Sequence, residues 1–273
     1  MNTLRMMMVH VDGTHQAAAR LMLARDLARV HHATLAAAFA VAPRFQPLPV
    51  PWVEGLPAAP LLDEIDPKHR DHARSAFDRV FRGSTVAVRF EDLSDEPPVK
   101  GLTQRARLAD LLVLGQPDPS DTAGTDVPRR FIASVLIGSG TPALVLPFTG
   151  TAVAEPQCVL VGWKSSREAA RALMSALPVL SRARAVHVAL AAGSVDARPL
   201  EAYLHAHGVR NLQLHSDVPD DHAGRSLLSL AGELDADWLV MGCFGHSQTR
   251  EWVLGGASRT VLDTATLPVW MAH

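Results

Sequence analysis

A glycine-rich segment near the C-terminus carries the residues whose types and spacing best suit ligand binding. Gly242 is followed by Gly245, and after nine further residues by Gly255-Gly256-Ala257-Ser258. Glycine lets a ligand approach the backbone closely, and the free N–H groups at the start of a following helix suit a phosphate. The spacing predicts a phosphate-binding loop that is neither a Walker A motif nor G-x-G-x-x-G. The alternative is a tight strand-to-helix turn without a ligand.

Catalytic chemistry finds no support in the pattern of side chains. The sequence has no G-x-S-x-G elbow, no HExxH motif and no recognisable pairing of a nucleophile with a base. Its 13 histidines are scattered, and they favour surface positions over a metal site. Cys243 is interpreted as a packing residue, because a reactive thiol needs exposure and a lowered pKa. The sequence therefore predicts a binding or signalling module rather than an enzyme.

The composition is that of an ordinary globular protein. Of 273 residues, 48% are hydrophobic and 20% are charged, and the net charge of −2 provides no basic field for general nucleic-acid binding. No apolar run approaches the length of a membrane span, and Met1 to Met8 lead into a predicted strand without a signal-peptide cleavage site. Cys158 and Cys243 form no CxxC pair, which favours a reducing compartment. The expected location is the cytoplasm.

An internal repeat organises the chain. The run from Asp110 to Gly115 reappears from Asp237 to Gly242, each with a polar start, four apolar residues and a final glycine. Such a run is typical of a strand buried on both faces. A Pro-initiated apolar run follows in each half, at 142–147 and 267–272, where proline at the first strand position is tolerated.

Strands and predicted helices alternate in both halves, which indicates a parallel sheet flanked by helices, twice over. The fold class is α/β with two Rossmann-like halves, each a five-stranded parallel sheet in the order 3-2-1-4-5, with a ligand crevice beside strands 1 and 4. The predicted strands are 5–11, 34–41, 84–90, 110–115 and 142–147, then 157–162, 184–191, 209–215, 237–242 and 267–272.

Three local features complete the prediction of the fold. Helices are expected at 61–82 and 222–235, and Ser165 with Glu168 forms a capping-box signature for another helix, which Pro178 should end or bend. The halves should join near Pro147 to Pro156. These signals predict two domains, residues 1–148 and 155–273. The proline-rich segment 43–60 is interpreted as an exposed loop or a partner-binding segment.

The glycine segment, its buried strand and the Pro-Val strand after it together resemble the nucleotide loop and C-terminal signature of universal stress proteins. The run Val9-His10-Val11-Asp12-Gly13-Thr14 resembles their first strand and its turn. The resemblance covers the chain as two copies, as in the tandem members of that family. It implies a Rossmann-like fold and, in many members, ATP bound in the crevice between strands 1 and 4.

The resemblance also implies a set of binding residues in the second half. Gly162, Trp163 and Lys164 would lie near the base and ribose. The residues lining ribose and phosphates would be Met241, Gly242, Gly245, His246, Gly255, Gly256, Ala257 and Ser258.

The two halves depart from the family pattern in opposite ways. The second half has Lys164 where an aspartate is usual, and an ammonium group can only donate hydrogen bonds. The first half keeps Asp12, which could contact a base or cap a helix, but Gln116-Pro117 follow Gly115 and Arg129-Arg130 replace the later glycines. The first half is therefore expected to be degenerate.

The resemblance implies a stress-response protein that binds ATP, with or without Mg²⁺, or a related adenine nucleotide in its second half as a regulatory ligand. The alternative is a nucleotide-independent stress scaffold that acts through protein partners, and slow ATP hydrolysis is a third reading. Neither nucleic acid nor membrane is expected as a partner. The last strands of the halves should pair within the chain as an intramolecular pseudo-dimer, which covers two sheet edges. A further homodimer is compatible with the sequence.

Overall fold

The computed structural model describes residues 4–42, 67–117, 127–128, 130–149, 152–191, 196–218, 222–244 and 256–273. The proline-rich segment 43–60 and the start of the predicted helix 61–82 lie outside these residues. Within them, the first half contains β1 (Met6–Val11), α1 (Ala17–His31), β2 (Thr34–Phe39), α2 (Pro67–Phe81), β3 (Val88–Asp92), α3 (Pro98–Ala106), β4 (Leu111–Gly115), α4 (Phe131–Ser139) and β5 (Ala143–Leu146).

The described part of the second half repeats this succession of strands and helices. Its elements are β6 (Cys158–Trp163), α5 (Arg167–Leu180), β7 (Ala185–Ala191), α6 (Arg198–Ala206), β8 (Leu212–Val218), α7 (Ala223–Glu233), β9 (Trp238–Gly242), α8 (Gly256–Thr264) and β10 (Val269–Ala272).

All ten strands form one sheet in the order β3-β2-β1-β4-β5-β10-β9-β6-β7-β8. Each half therefore has the order 3-2-1-4-5 that the sequence predicts. Pairing is parallel within the halves, whereas β5 and β10 pair antiparallel, with Val145 opposite Val269 and Leu144 opposite Trp270. The last strands of the two halves thus join the sheets edge to edge, as predicted for the intramolecular pairing.

The aspartate that opens each repeated run makes the same pair of hydrogen bonds in both halves, at the start of a central strand. The Asp110 carboxylate accepts hydrogen bonds from the N–H groups of Arg5 and Met6, at 2.7 and 2.9 Å. The Asp237 carboxylate accepts the equivalent bonds from residues 157 and 158, at 2.6 and 2.9 Å. The polar start of each repeated run therefore satisfies two donors at a strand end.

Helices cover both faces of the sheet, and the central strands are buried on both sides. Two stacked tryptophans, Trp238 and Trp270, pack beside the junction with ring centroids 6.1 Å apart. Their indole N–H groups donate to the carbonyl of Val153 and to the hydroxyl of Ser175. Among the described helices, none is both long enough and apolar enough to span a bilayer.

The two outer strands begin later than the sequence patterns predict. β3 starts at Val88 rather than 84, and β8 starts at Leu212 rather than 209. In both cases a glycine with positive φ, Gly83 or Gly208, ends the preceding helix, and the next residues form the turn that closes it. The first residues assigned to these strands, Ser84 and Val209, therefore donate their N–H groups to the preceding helix and not to the sheet.

The start of α5 also differs from the prediction. The N-cap is Ser166, whose hydroxyl accepts a hydrogen bond from the N–H of Ala169 at 3.2 Å, and not Ser165. Glu168 consequently occupies the second helical position, one residue short of the capping-box position. Pro178 lies inside the helix, which continues to Leu180.

Candidate functional site

The second-half crevice lies where the strand order reverses, between the carboxyl ends of β6 and β9. These strands are direct neighbours, with Val161 opposite Val240 and Gly162 opposite Met241. Ligands of open α/β sheets bind at this kind of position. The register therefore brings together Gly162, Met241 and Gly242, which come from two distant parts of the sequence.

The space beside Gly162 is occupied by Leu227 of α7. A Cβ atom placed on Gly162 would lie 2.9 Å from one methyl group of Leu227 and 3.2 Å from the other. Leu227 and Met241 are both buried, so the α7 side of the crevice floor is apolar and closely packed. Trp163 is only partly buried and packs against the core on the opposite face of the sheet, with α5.

Gly242 is required by the packing of α5. A side chain at this position would collide with the amide nitrogen of Ala169 and with the carbonyl carbon of Glu168. The absence of a Cβ therefore lets the first turn of α5 rest on the end of β9. This structural role accounts for Gly242 independently of any ligand.

The end of β9 is tied to the start of α8 by one hydrogen bond. The N–H of Phe244 donates to Oγ of Ser258 at 3.2 Å, and both residues are buried. Phe244 has a left-handed backbone conformation, with φ of 59°, which is uncommon for a residue with a side chain. The bond closes the two ends of the glycine loop against each other and uses one lone pair of the hydroxyl oxygen.

The first residue of α8 is Gly256, which is exposed. Among the residues that the structure describes, no atom lies within 4 Å of a Cβ placed on Gly256. Ala257 is half-buried and its carbonyl packs closely against Gly224 of α7. The first N–H groups of an α-helix have no acceptor within the helix, and groups of this kind can bind an anion.

Of the remaining predicted site residues, one is described by the structure. Lys164 is half-buried at the end of β6, directly before the turn into α5. Gly245, His246 and Gly255 lie outside the described residues.

Cys243 is a packing residue in the structure, as the sequence suggests. Its side chain is 1% exposed, and burial, with a smaller effect of Glu168, raises the pKa of its thiol well above the ordinary range. Its carbonyl oxygen lies 3.2 Å from Nδ1 of His273, whose own carbonyl oxygen accepts a 2.7 Å bond from Arg171. The residues beside the glycine loop are thus held to β10 and α5.

The corresponding first-half crevice is filled by the chain's own side chains. The Asp12 carboxylate pairs with the guanidinium of Arg20 at 2.5 Å, with both side chains under 10% exposed. Its other oxygen accepts bonds from the N–H and hydroxyl of Thr14. Arg20 also packs against Gly115 so closely that a side chain there would collide with it, and the His69 ring covers Gly13.

Of the two roles considered for Asp12 from the sequence, capping of the following helix is wrong. The N-cap of α1 is Gln16, and the carboxylate is engaged by Arg20 and Thr14. Burial alone would raise the pKa of Asp12, but Arg20, His10 and the Thr14 bond outweigh it and hold the pKa well below the usual range.

His10 fills the other side of the first-half crevice, at the position that Gly162 occupies in the second half. Its Nε2 lies 2.8 Å from the carbonyl of Ala40, and its ring packs on Phe131 at 4.7 Å between centroids. Burial, with a smaller effect of Arg20, lowers the pKa of His10 to about 4 despite the opposing effect of Asp12. The ring is therefore neutral at pH 7.

Gln116, where the first-half loop loses its glycine pattern, connects the two halves. Its Nε2 donates to the carbonyl of Ala265 at 3.1 Å, and its Oε1 accepts from the N–H of Phe148 at 2.8 Å. The side chain is 7% exposed. A position that belongs to the loop in the second half thus serves the contact between halves in the first.

Sequence reasoning misses two side chains that shape the crevices, Arg20 and Leu227, and it names Gln116 as a departure from the loop pattern without indicating its contact between the halves. Each lies in a segment whose pattern predicts only a helix or a strand end. The repeat offers one available signal: in the first half, Gln116 stands where the second half has Cys243, and Arg20 stands where it has Ala172.

Comparison with protein families identifies the second half. Residues 157–273 match the family model of the universal stress protein family. This half of the chain is a universal stress protein domain. The size of the chain and its two α/β halves fit a tandem universal stress protein. Comparison with curated proteins gave no match.

Two solved structures share the fold over nearly the whole chain. A universal stress protein from Archaeoglobus fulgidus is 16% identical, with a TM-score of 0.69, over 99% of this chain and 96% of that one. A protein from Pseudomonas aeruginosa described as a universal stress protein is also 16% identical, with a TM-score of 0.60, over 98% and 93%. A universal stress protein in complex with cAMP covers 54% of this chain and 99% of that one at 23% identity, and its TM-score of 0.37 is too low to inform on this site.

Proposed function

We propose that the universal stress protein half binds an adenine nucleotide, ATP with or without Mg²⁺, as a regulatory ligand in a stress response. The observation that carries this proposal is the Phe244–Ser258 hydrogen bond, which holds the end of β9 against the start of α8. It supports a loop whose two ends meet beside the switch point, with helix N–H groups available to a phosphate.

The phosphate and base ends of such a ligand would meet different surroundings. At the phosphate end, no described residue lies within 4 Å of a Cβ placed on Gly256, in the first turn of α8. At the base end, Lys164 stands where the family usually has an aspartate, so contacts there would go to acceptor atoms of the ribose, base or phosphate. The proposed set thus fits the anionic end of a nucleotide better than its adenine.

We expect one nucleotide per chain. In the first half, Arg20, His10 and His69 occupy the equivalent crevice, and the Asp12 carboxylate is already paired. The proposed organisation is therefore a first domain, residues 1–148, whose crevice is filled by its own side chains, and a nucleotide-binding second domain, residues 155–273. We further propose that the protein is cytoplasmic.

A nucleotide-independent scaffold is the second candidate. The observation that favours it is Leu227, whose methyl groups pack on Gly162 and leave little room on the α7 side of the crevice. A protein of this kind would act through protein partners on its surface, and ligand occupancy would not alter it.

Calorimetric titration with ATP, ADP and AMP, each with and without Mg²⁺, distinguishes the two candidates. Gly256→Glu places a carboxylate at the start of α8, where it is compatible with the helix dipole but would repel a phosphate. Gly256→Ala is the matched control. We expect saturable binding with one site per chain that is retained in the alanine variant and weakened at least about tenfold in the glutamate variant, or about 1.4 kcal/mol.

Circular dichroism establishes that both variants keep the fold. Absence of binding by the unaltered protein under all six conditions would overturn the nucleotide proposal and favour the scaffold. Equal binding by the unaltered and glutamate proteins would place the nucleotide elsewhere.

A further inference from the structure

A groove crosses the amino ends of β6, β7 and β8, where these neighbouring parallel strands begin. Its volume is about 500 Å³, which lies within the range of sites that hold small molecules. The crevice between β6 and β9 lies at the carboxyl ends of the strands, so the length of a strand separates the two. The groove is therefore a second candidate site, and it does not depend on the proposed nucleotide site.

Two arginines from neighbouring strands line this groove. Arg184 directly precedes β7, and Arg210 comes two residues before β8. Val186 lies opposite Leu212, and the same register two residues earlier brings Arg184 beside Arg210. Both arginines are exposed, and neither forms an ion pair with a carboxylate of the described residues. Two guanidinium groups without an acidic partner thus line one groove.

The backbone that carries the arginines is fixed by hydrogen bonds between the strand starts. The side-chain N–H of Asn211 donates to the carbonyl of Arg184 at 2.7 Å, and the N–H of Val186 donates to the carbonyl of Asn211 at 2.9 Å. On the other side, the N–H of Ala185 donates to the carbonyl of Gln157 at 2.9 Å. The positions of the two arginines along the chain are therefore set before a ligand arrives, which reduces the cost of binding.

The rest of the groove is a mixture of apolar and amide groups. Cys158, Ala185 and Leu212 are half-buried and provide an apolar strip. Gln157 and Gln213 add exposed amides, which can donate to phosphate oxygens or accept from hydroxyl groups. The groove therefore has a part that suits an anion and a part that suits an organic group.

The acidic residues near the groove lie away from the arginines. Asp235 and Asp237, whose charges act on Cys158, precede β9, and β9 flanks β6 on the side opposite to β7. Glu155 pairs with Arg182 at 3.3 Å. Positive charge is consequently concentrated on the β7 and β8 side of the groove, and an anion would bind there.

We propose that this groove binds a small organic phosphate, with the phosphate group between Arg184 and Arg210 and the organic part on the apolar strip. The planar guanidinium fork matches the oxygens of a phosphate and donates two parallel hydrogen bonds to it. A phosphate monoester carries a charge of about −1.5 to −2 at pH 7, so two arginines balance it, whereas a single carboxylate would leave one of them without a partner. Binding is reversible and involves no covalent step.

The first half has no equivalent of this site. Matching the strand registers of the two halves places Ala33 at the position of Arg184 and Val86 at the position of Arg210. Ala33 is buried and Val86 is half-buried. We therefore expect one organic phosphate per chain at this end of the sheet.

Titration of the full chain with phenyl phosphate, followed by amide nuclear magnetic resonance in a buffer without phosphate, tests the proposal. Phenyl phosphate should shift the amide signals of Ala185, Asn211 and Gln213 saturably. Its affinity should exceed that of inorganic phosphate, because only the ester reaches the apolar strip. We expect Arg184→Gln and Arg210→Gln each to lower the affinity at least about tenfold.

Two further variants serve as controls. Arg82→Gln removes the same charge from an exposed arginine at the end of α2 and should leave the affinity for phenyl phosphate unchanged. Gly256→Glu, which is designed to weaken the proposed nucleotide site, should also leave it unchanged, so that failure of one proposal is distinguishable from failure of the other. Circular dichroism checks folding, which exposed arginines without ion pairs should not affect.

Three results would overturn the proposal. The first is the absence of saturable shifts in the groove. The second is an affinity that stays the same in both Arg184→Gln and Arg210→Gln. The third is equal affinity for phenyl phosphate and inorganic phosphate, since the groove would then bind any small anion through its charge alone.

Discussion

The carboxylate of Asp12 and the guanidinium of Arg20 lie 2.5 Å apart in the interior of the first half, where each side chain is less than 10% exposed. The pair is further fixed by Thr14 on the carboxylate side and by the carbonyl of His10, which accepts from Nε of Arg20. A buried ion pair of this kind is costly to disrupt from one side, since the remaining charge loses its partner but stays buried.

Replacing either member should therefore destabilise the protein strongly. We expect Asp12→Asn to lower the free energy of unfolding by about 3–5 kcal/mol, measured by urea denaturation. Asp78→Asn is the control, because its pair with Arg74 is more than half exposed and should contribute no more than about 1 kcal/mol. If the two variants lost equal stability, the first-half crevice would not depend on the Asp12–Arg20 pair.

The stability of the protein should fall between pH 6.5 and pH 4 because of His10. The pKa of this ring is lowered from 6.5 to about 4 in the folded state. In that interval the unfolded chain binds the proton and the folded chain does not, so acidification favours unfolding, by about 3 kcal/mol in total for this group. The effect is complete near pH 4 and absent above pH 6.5.

Unfolding measured across this interval in the unaltered protein, His10→Gln and the exposed-site control His72→Gln isolates the contribution. The His10 variant should have the shallower pH dependence, and the control should retain the original one. Asp12 adds little to the pH dependence within this interval. Its folded pKa lies below the ordinary 3.8, so the stabilisation that it provides is fully present above pH 3.8 and is lost only in stronger acid. Identical slopes in all three proteins would contradict a buried neutral His10.

Two glycines of the glycine loop should respond oppositely to alanine. Gly242→Ala places a methyl group against the backbone of Ala169, and overpacking of this kind costs about 1–3 kcal/mol. The methyl group of Gly256→Ala lies within 4 Å of no described residue, and the change should leave stability unaltered or raise it by about 0.4–1 kcal/mol. Thermal unfolding of both variants would show the contrast, and equal destabilisation would mean that α5 does not rest on the end of β9.

The contact between halves should depend on the amide of Gln116. Gln116→Met keeps the shape of the side chain but leaves the Phe148 N–H and the Ala265 carbonyl without their bonds. Each unsatisfied buried group costs about 1–3 kcal/mol, so the two together should cost about 2–6 kcal/mol in urea denaturation. Amide exchange at Phe148 should also become faster. Gln104→Met, on the exposed face of α3, should change stability by less than about 0.5 kcal/mol. Amide exchange at Phe148 in this variant should match that of the unaltered protein.

The buried strands can be predicted from the sequence because a run of four apolar residues between a polar residue and a glycine is typical of a strand buried on both faces. Their order follows from the alternation of strands and helices. The outer strands β3 and β8 are harder to predict, since segments such as Val88–Asp92 alternate charged and apolar residues and are exposed on one side. Their starts are displaced by helix caps at Gly83 and Gly208, which no strand pattern encodes.

The candidate site is predicted less completely, because its limits are set by side chains from other elements. The sequence identifies Gly242 and Ser258, but it does not indicate that α5 rests on the first or that the second accepts from Phe244. Arg20 looks like an ordinary helix cation until the fold places it beside Asp12 and Gly115. Contacts between residues that are far apart in the sequence leave no periodic pattern from which they could be predicted.

The antiparallel junction of β5 and β10 has a consequence for how the two halves can change over time. Two identical subunits that meet through their last strands share one sequence, so a substitution that closes one crevice closes both. Once the strands belong to a single chain, each half can be altered separately while the shared sheet keeps them together. Three features come from one half only: the Asp12–Arg20 ion pair, the contact of Gln116 with the other half, and the contact between His187 of β7 and His215 of β8. The fusion of the two halves into one chain permits this difference.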